Sequence, residues 1–355
     1  MRAVVAMITV LSVLACSPGE NGDSSAARGS SGNVDLTGAG ATFPQPIYSK
    51  WFSDYARDKG VRINYQSIGS GGGVRQLLEG TVDFGATDGP MSDEELSRST
   101  RGEILHIPTI IGAVVIAYNL EGVSQPLQLT GDLIADVFMG RITKWNDARI
   151  TALQPGVTMP DEDIIVVHRS DGSGTTYVFT DYLAKVSSNW ANGPGRGKEV
   201  QWPVGLGGKG NEGVAGQVKQ TPGSMGYVEL AYATQNNLQF ASVRNQAGNF
   251  AAPTIESISA AAAGAMQLAG ADTDFRVSIA DATGAASYPI SSFTWIILYK
   301  NQADADEGRK LVDFLRWAIT EGQQAAAPLD YAPLPDDVVH AIETRLGTVE
   351  IGGSA

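Results

Sequence analysis

Residues 164–183, IIVVHRSDGSGTTYVFTDYL, decide the fold class. Ile164-Ile165-Val166-Val167 is an apolar run of the kind buried in a sheet. The small, polar turn Asp171-Gly172-Ser173-Gly174-Thr175 follows. After it, Val178, Phe179, Tyr182, Leu183 and Val186 recur at helical spacing. The same alternation extends in both directions. Val61-Arg62-Ile63-Asn64-Tyr65 alternates with period two, and Trp295–Tyr299 is another buried-type run. Ile47, Trp51, Phe52 and Tyr55 share one helical face, as do Leu311, Phe314, Leu315 and Ala318, and then Val338, Val339, Ile342 and Leu346. Strands alternating with helices predict an α/β fold, and each apolar stripe is assigned to core packing.

The 355 residues suggest two domains at roughly 150 residues each. With 43% hydrophobic and 18% charged residues, a mainly disordered chain is excluded. There are 25 Lys+Arg against 38 Asp+Glu, a formal charge of -13. That balance disfavours nucleic acid, whose backbone is held by cationic side chains, and an anionic membrane surface. It leaves room for one small anion, because backbone N–H groups and helix dipoles act within a few ångströms while distant carboxylates are screened.

The first residues read as a targeting segment. Arg2 precedes the apolar run Ala3–Ala15, which is too short to span a bilayer and ends at Cys16, the sole cysteine. Residues 1–16 are therefore expected to be a lipoprotein signal ending at a lipobox, with Cys16 acylated, and 17–35 a flexible tether. With one cysteine the fold has no intrachain disulfide, so its core must supply the stability.

Three segments place small or hydroxyl residues just before a helical pattern: Thr37–Pro44, Gly69–Gly73 and Asp171–Thr175. A helix N-terminus presents unpaired N–H groups and a partial positive charge; Gly admits an anion closely and Ser or Thr adds a donor. One such segment is ordinarily a capped helix. Three that converge would make a cage for a tetrahedral oxyanion. Arg169 stands at the C-terminal end of a strand, where open α/β sheets bind ligands. It reads as an oxyanion clamp held by Asp171, or else as a surface ion pair of small consequence. Asp88, after the run Thr81–Thr87, reads from pattern alone as a turn residue. In an anion site its carboxylate would accept the proton of monohydrogen phosphate and repel sulfate.

Enzyme readings find little support. Gly205–Gly210 contains Gly-Lys without the following Ser/Thr of a Walker loop, and Asp171–Thr175 lacks the outer glycines of a nucleophile elbow. His106, His168 and His340 have no metal-ligand spacing, and strand alternation turns His168 away from Arg169 as a structural residue.

The runs LTGAGATFPQPIYSKWF, YQSIGSGGGV, VDFGATD, RSDGSGT, WPVGLGGKGNEG, GSMGYVELAYA and DYAPLPDDVV, in this order, resemble the phosphate-binding proteins of phosphate-specific ABC transporters over Leu36 to about Leu346. The resemblance implies an α/β, two-lobed periplasmic-binding-protein fold with a hinge between the lobes. It implies one dehydrated phosphate held by Thr42, Phe43, Ser70, Asp88, Arg169, Ser173, Gly174 and Thr175, with Asp171 paired to the arginine. Ser170 and Gly71 depart from the family pattern without removing a ligand. Expected from it are a lobe 1 of residues 36–112 and 288–352, a lobe 2 of 113–287, crossings near Ile110–Val115 and Tyr288–Phe293, and no catalysis or cofactor. The expected partners are inorganic phosphate and a membrane permease, with a monomer outside the cytoplasmic membrane. The rival readings are a binder of sulfate or molybdate, a phosphate-sensing surface lipoprotein, and a phosphatase.

Overall fold

Strand β1 (Leu36–Gly40) is LTGAG, a composition poor in the bulky residues that favour strands. It is extended because it is held on both sides: β2 (Ile63–Ser67) and β3 (Phe84–Thr87) pair with it in parallel. The run Thr81–Thr87 is thus a strand only in its last four residues; Thr81 N–H instead bonds the Gln76 carbonyl and closes the preceding helix. Helix α1 (Gln45–Lys59) buries Ile47, Trp51, Phe52 and Tyr55, the stripe read from the sequence, and Tyr48 beside them. Helix α2 (Ser70–Glu79) begins at Ser70, so Ser70-Gly71-Gly72-Gly73 is its first turn and not a loop before it. Glycine is needed there because α2 lies hard against β1: a Cβ on Gly73 would come 2.5 Å from the Ala39 carbonyl oxygen. That close packing carries Ser70 to the end of β1. The computed structural model from which these elements are taken describes residues 35–269 and 274–352; Cys16 and all of the expected tether except Asp35 lie outside them.

Strand β4 (Ile104–Asn119) runs for 16 residues and changes partners midway. From Ile104 to Ala113 it pairs antiparallel with β8 (Ser291–Tyr299); from Val114 to Asn119 it pairs antiparallel with β7 (Ser224–Glu229). Pro108 lies within it without an N–H to donate, and the register slips beside it: Trp295 faces Pro108 and Thr294 faces Ile110. Thr109 is the extra residue, and its hydroxyl is taken up by the Tyr48 hydroxyl at 2.7 Å. Beyond β7 the sheet continues in parallel with β5 (Ile165–Arg169) and then β6 (Leu206–Gly208). The order is β2-β1-β3-β8-β4-β7-β5-β6. Helix α3 (Gly174–Val186) follows β5, α4 (Gly210–Gln220) follows β6, and α5 (Ala305–Ala318) follows β8. The α/β class expected from the alternation is what the chain adopts.

The core is apolar on both sides of the partner exchange. Tyr48, Trp51, Phe52, Tyr55, Phe314 and Trp317 pack ring on ring under β1–β3; Phe138, Phe179, Tyr227 and Trp202 do the same beside β5 and β7. Burying each such side chain contributes roughly 1.5–3 kcal/mol, which suits a fold built without disulfides. Among the described residues no helix is long and apolar enough to cross a membrane.

Candidate anion-binding site

The C-terminal ends of β1, β3 and β5 and the N-termini of α1, α2, α3 and α4 meet in one buried place. The residues expected from the resemblance, Thr42, Phe43, Ser70, Asp88, Arg169, Ser173, Gly174 and Thr175, lie there and are all buried. Two chains of hydrogen bonds link six of them. In the first, Ser70 Oγ accepts the Gly174 N–H at 3.0 Å and the Asp88 N–H at 3.3 Å. In the second, Asn211 donates to Thr42 Oγ1 and Thr175 Oγ1, and Thr175 also receives Arg169 Nη1 at 3.3 Å. Ser173 caps α3, its oxygen accepting the Thr176 N–H at 3.0 Å, which leaves its proton for another partner. Helices α1, α2 and α4 have no such side-chain cap. The backbone N–H groups of Thr42, Phe43 and Thr175 have no acceptor among the described residues.

The charges are arranged as one cation, Arg169, and two carboxylates, Asp171 and Asp88. Arg169 Nε and Nη2 donate to the two oxygens of Asp171, at 2.8 and 2.6 Å. Asp171 thus occupies that edge of the guanidinium and leaves the Nη1–Nη2 end for an oxyanion. Burial alone would raise the Asp171 carboxyl, but the Arg169 hydrogen bonds and charge outweigh it and hold the pKa below the ordinary value. Arg169 is buried at 3% exposure, so the surface-pair reading does not describe it. Asp88 Oδ1 accepts the Thr294 hydroxyl at 2.8 Å, while Oδ2 is buried with no partner. Burial pushes the Asp88 carboxyl up to about 7, against the opposing pull of Thr294 and Arg169. A buried carboxylate oxygen without a donor is unfavourable unless something arrives to share a proton with it.

Several supporting residues carry no local signal in the sequence. Tyr232 and Tyr331 donate to the Thr42 and Phe43 carbonyls at 2.6 and 2.7 Å and fix the β1–α1 turn. Glu229 Oε2 accepts the Ala231 N–H at 2.9 Å and lies 3.2 Å from the Tyr331 hydroxyl oxygen, and burial raises its pKa well above the ordinary value. Thr294 and Asn211 likewise carry no local signal; each is a common polar residue whose role depends on what the fold brings to it. His168 stacks on Trp202 at 4.7 Å with Nδ1 against its neighbour's carbonyl, and His106 is buried and accepts the Met91 N–H. Among the described residues no cluster of three or more His, Cys, Asp or Glu could hold a metal ion.

The two sides of the sheet touch at Gly174. A Cβ there would lie 2.5 Å from both Asp88 Oδ2 and Ser70 Oγ. We expect Gly174→Ala to keep the fold but to weaken anion binding by at least about tenfold, because the added methyl props these surfaces apart. Calorimetric titration checks this.

The model of the PBP superfamily domain matches residues 24–321. The chain is 47% identical to the phosphate-binding protein PstS of Xylella fastidiosa (strain 9a5c) over 312 residues, 88% of this chain and 84% of that one. It is 38% identical to the PstS of Methanocaldococcus jannaschii, covering 94% of this chain and 90% of the relative. This chain belongs to the PstS family of the PBP superfamily. Among solved structures, a high-affinity periplasmic phosphate-binding protein (PfluDING) bound with phosphate superposes with a TM-score of 0.69 at 22% identity, covering 88% of this chain and 93% of that one. The phosphate-binding protein of Stenotrophomonas maltophilia gives 0.66 at 19%, covering 88% and 94%. At those identities the likeness concerns the fold, which for this PstS-family chain is the two-lobed periplasmic-binding-protein fold.

Proposed function

We propose that this PstS-family protein captures inorganic phosphate with high affinity outside the cytoplasmic membrane and delivers it to an ABC-type importer, without catalysis. The observation that carries the reading is the buried cage itself. Hydroxyl and N–H donors and one arginine converge on a place where Asp88 Oδ2, a buried carboxylate oxygen without a partner, suits an anion that brings its own proton. The PstS names of the relatives support the same ligand. Thr42, Phe43, Ser70, Arg169, Ser173, Gly174 and Thr175 supply the donors, Asp88 the acceptor, and Asp171 aligns Arg169. No serine, histidine or carboxylate there is set as an activated nucleophile beside a base, which favours binding over phosphatase chemistry.

Residues 36–112 with 288–352 form one lobe in this reading and 113–287 the other. The exchange of β4 partners between Ala113 and Val114 supports the division. Closure is held by the Gly71 N–H bond to the Gly172 carbonyl, the Lys198–Glu95 pair at 2.7 Å and the Arg276–Asp93 pair at 2.7 Å. The protein acts as a monomer, tethered through an acylated Cys16. Equilibrium dialysis of phosphate-stripped protein against radiolabelled phosphate tests the binding. We expect one phosphate per chain at micromolar concentration or below; no retained label would refute the proposal. Loss of high-affinity phosphate uptake on deletion tests delivery, and unchanged uptake would point to the sensing alternative.

A further inference from the structure

Asn211 stands in the first turn of α4, is fully buried, and is one of the residues that join the two sides of the site. Its side-chain oxygen accepts the Glu229 backbone N–H at 2.9 Å. A backbone N–H can only donate, so this bond fixes the amide: Oδ1 faces β7 and Nδ2 faces the site. Nδ2 then donates to Thr42 Oγ1 at 2.8 Å and to Thr175 Oγ1 at 3.0 Å, and the Asn211 backbone N–H donates to Thr42 Oγ1 at 3.1 Å.

The count of lone pairs gives the consequence. A hydroxyl oxygen has two acceptor positions and one proton. Thr42 Oγ1 receives two N–H groups, both from Asn211. Thr175 Oγ1 receives two, one from Asn211 and one from Arg169. Neither oxygen has a lone pair left, and each must turn its proton outward. Ser70 Oγ is filled in the same way by the N–H groups of Gly174 and Asp88. Without such locking, a threonine hydroxyl is ambivalent and rotates to accept as readily as to donate.

We propose that Asn211 is a positioning residue that makes Thr42 and Thr175 obligate donors, so that neither hydroxyl can receive a ligand proton and the site selects a ligand whose facing oxygens are bare. The inference rests on the phosphate reading above and deepens it: the amide sets which ligand protonation state the donor side admits, and Asp88 handles the remaining proton on the other side. Because Thr42 lies after β1 and Thr175 in α3, the same amide completes the donor set only when both sides are together.

A mutant cycle read by calorimetric titration with inorganic phosphate tests this. Asn211→Ala in the wild-type background is expected to weaken phosphate by about 10- to 100-fold, because each threonine hydroxyl, free to rotate, keeps only part of its bond to the charged ligand. In a Thr42→Val/Thr175→Val background, where no hydroxyl remains to be set, Asn211→Ala should change the affinity by less than about threefold. Additive losses in the two backgrounds would mean that Asn211 is structural and would overturn the assignment, as would an Asn211→Ala protein with native affinity. Should the substituted proteins fail to fold, neutron diffraction of the wild-type phosphate complex in heavy water decides. Deuterons of Nδ2 directed at both threonine oxygens, with both hydroxyl deuterons on the phosphate, support the proposal; an amide turned with Oδ1 toward the threonines overturns it. Wild-type protein that takes up no phosphate would bring down the functional reading and this inference together, whereas tight wild-type binding with additive mutant losses removes only the inference.

Discussion

Asp88→Asn should abolish most of the preference for phosphate over sulfate and should make the ligand-free protein more stable at pH 8. The first effect follows from proton counting. Ionised Asp88 accepts the proton of monohydrogen phosphate and repels an oxyanion without one. An amide removes the repulsion and offers a donor, so sulfate gains while phosphate loses a charge-assisted bond of about 1.5–3 kcal/mol, or roughly 10- to 150-fold in affinity. Parallel titrations with the two anions read the ratio. The second effect follows from the raised pKa, about 7 against an ordinary 3.8, caused first by burial and opposed by Thr294, Arg169, Ser70 and Lys198. Below about pH 4 the carboxyl is protonated in both the folded and unfolded chain and nothing is lost. As pH rises from about 4 to 7 the unfolded chain ionises while the buried carboxyl stays protonated, and the loss is complete once pH passes the folded value near 7. The ligand-free protein therefore loses stability on the order of 4 kcal/mol by pH 8. Asn has no such penalty. Thermal unfolding of phosphate-stripped wild type and Asp88→Asn should coincide near pH 4 and diverge at pH 8, with the variant higher; the opposite order would contradict the burial argument.

Arg169→Ala should reduce phosphate affinity by about a thousandfold or more. Among the described residues Arg169 is the one cation directed into the cage, and it also neutralises Asp171, which bonds it in two places. Its removal takes away the ligand's charge partner and leaves a second carboxylate, only 14% exposed, uncompensated beside the site. Breaking one partner of a buried pair commonly costs about 3–5 kcal/mol. Arg169→Lys should recover little, because an ammonium cannot hold both Asp171 oxygens and still present two N–H groups to the ligand. Arg169→Ala with Asp171→Asn should bind better than Arg169→Ala alone, since the stranded charge is gone. Titration of the three variants separates the lost clamp from the stranded carboxylate.

These expectations draw unequally on what the sequence discloses. The helical stripes at Ile47–Tyr55, Val178–Leu183 and Leu311–Ala318 are legible because burial repeats every three to four residues, and each is buried. The turn Asp171–Thr175 and the Arg169 position are legible because a strand, a small-residue turn and a helix follow one another in sequence. The extent of α2 was not, since three glycines in a first helical turn look like a loop until β1 is seen packed against Gly73. Nor was the long β4, whose partner exchange depends on two strands more than a hundred residues away in the chain. Asn211, Thr294, Tyr232 and Tyr331 escaped for the same reason: each acts on a site residue between roughly 35 and 290 positions distant, and no local spacing marks it.

The account depends on a donor cage in which Asp88 reads the proton on the ligand. Its most direct test is a calorimetric competition at pH 8 between phosphate and sulfate on wild-type protein and on Asp88→Asn. The account predicts that wild type holds phosphate against a large excess of sulfate and that the variant does not. Equal selectivity in the two proteins, or sulfate displacing phosphate from wild type at comparable concentration, would contradict it.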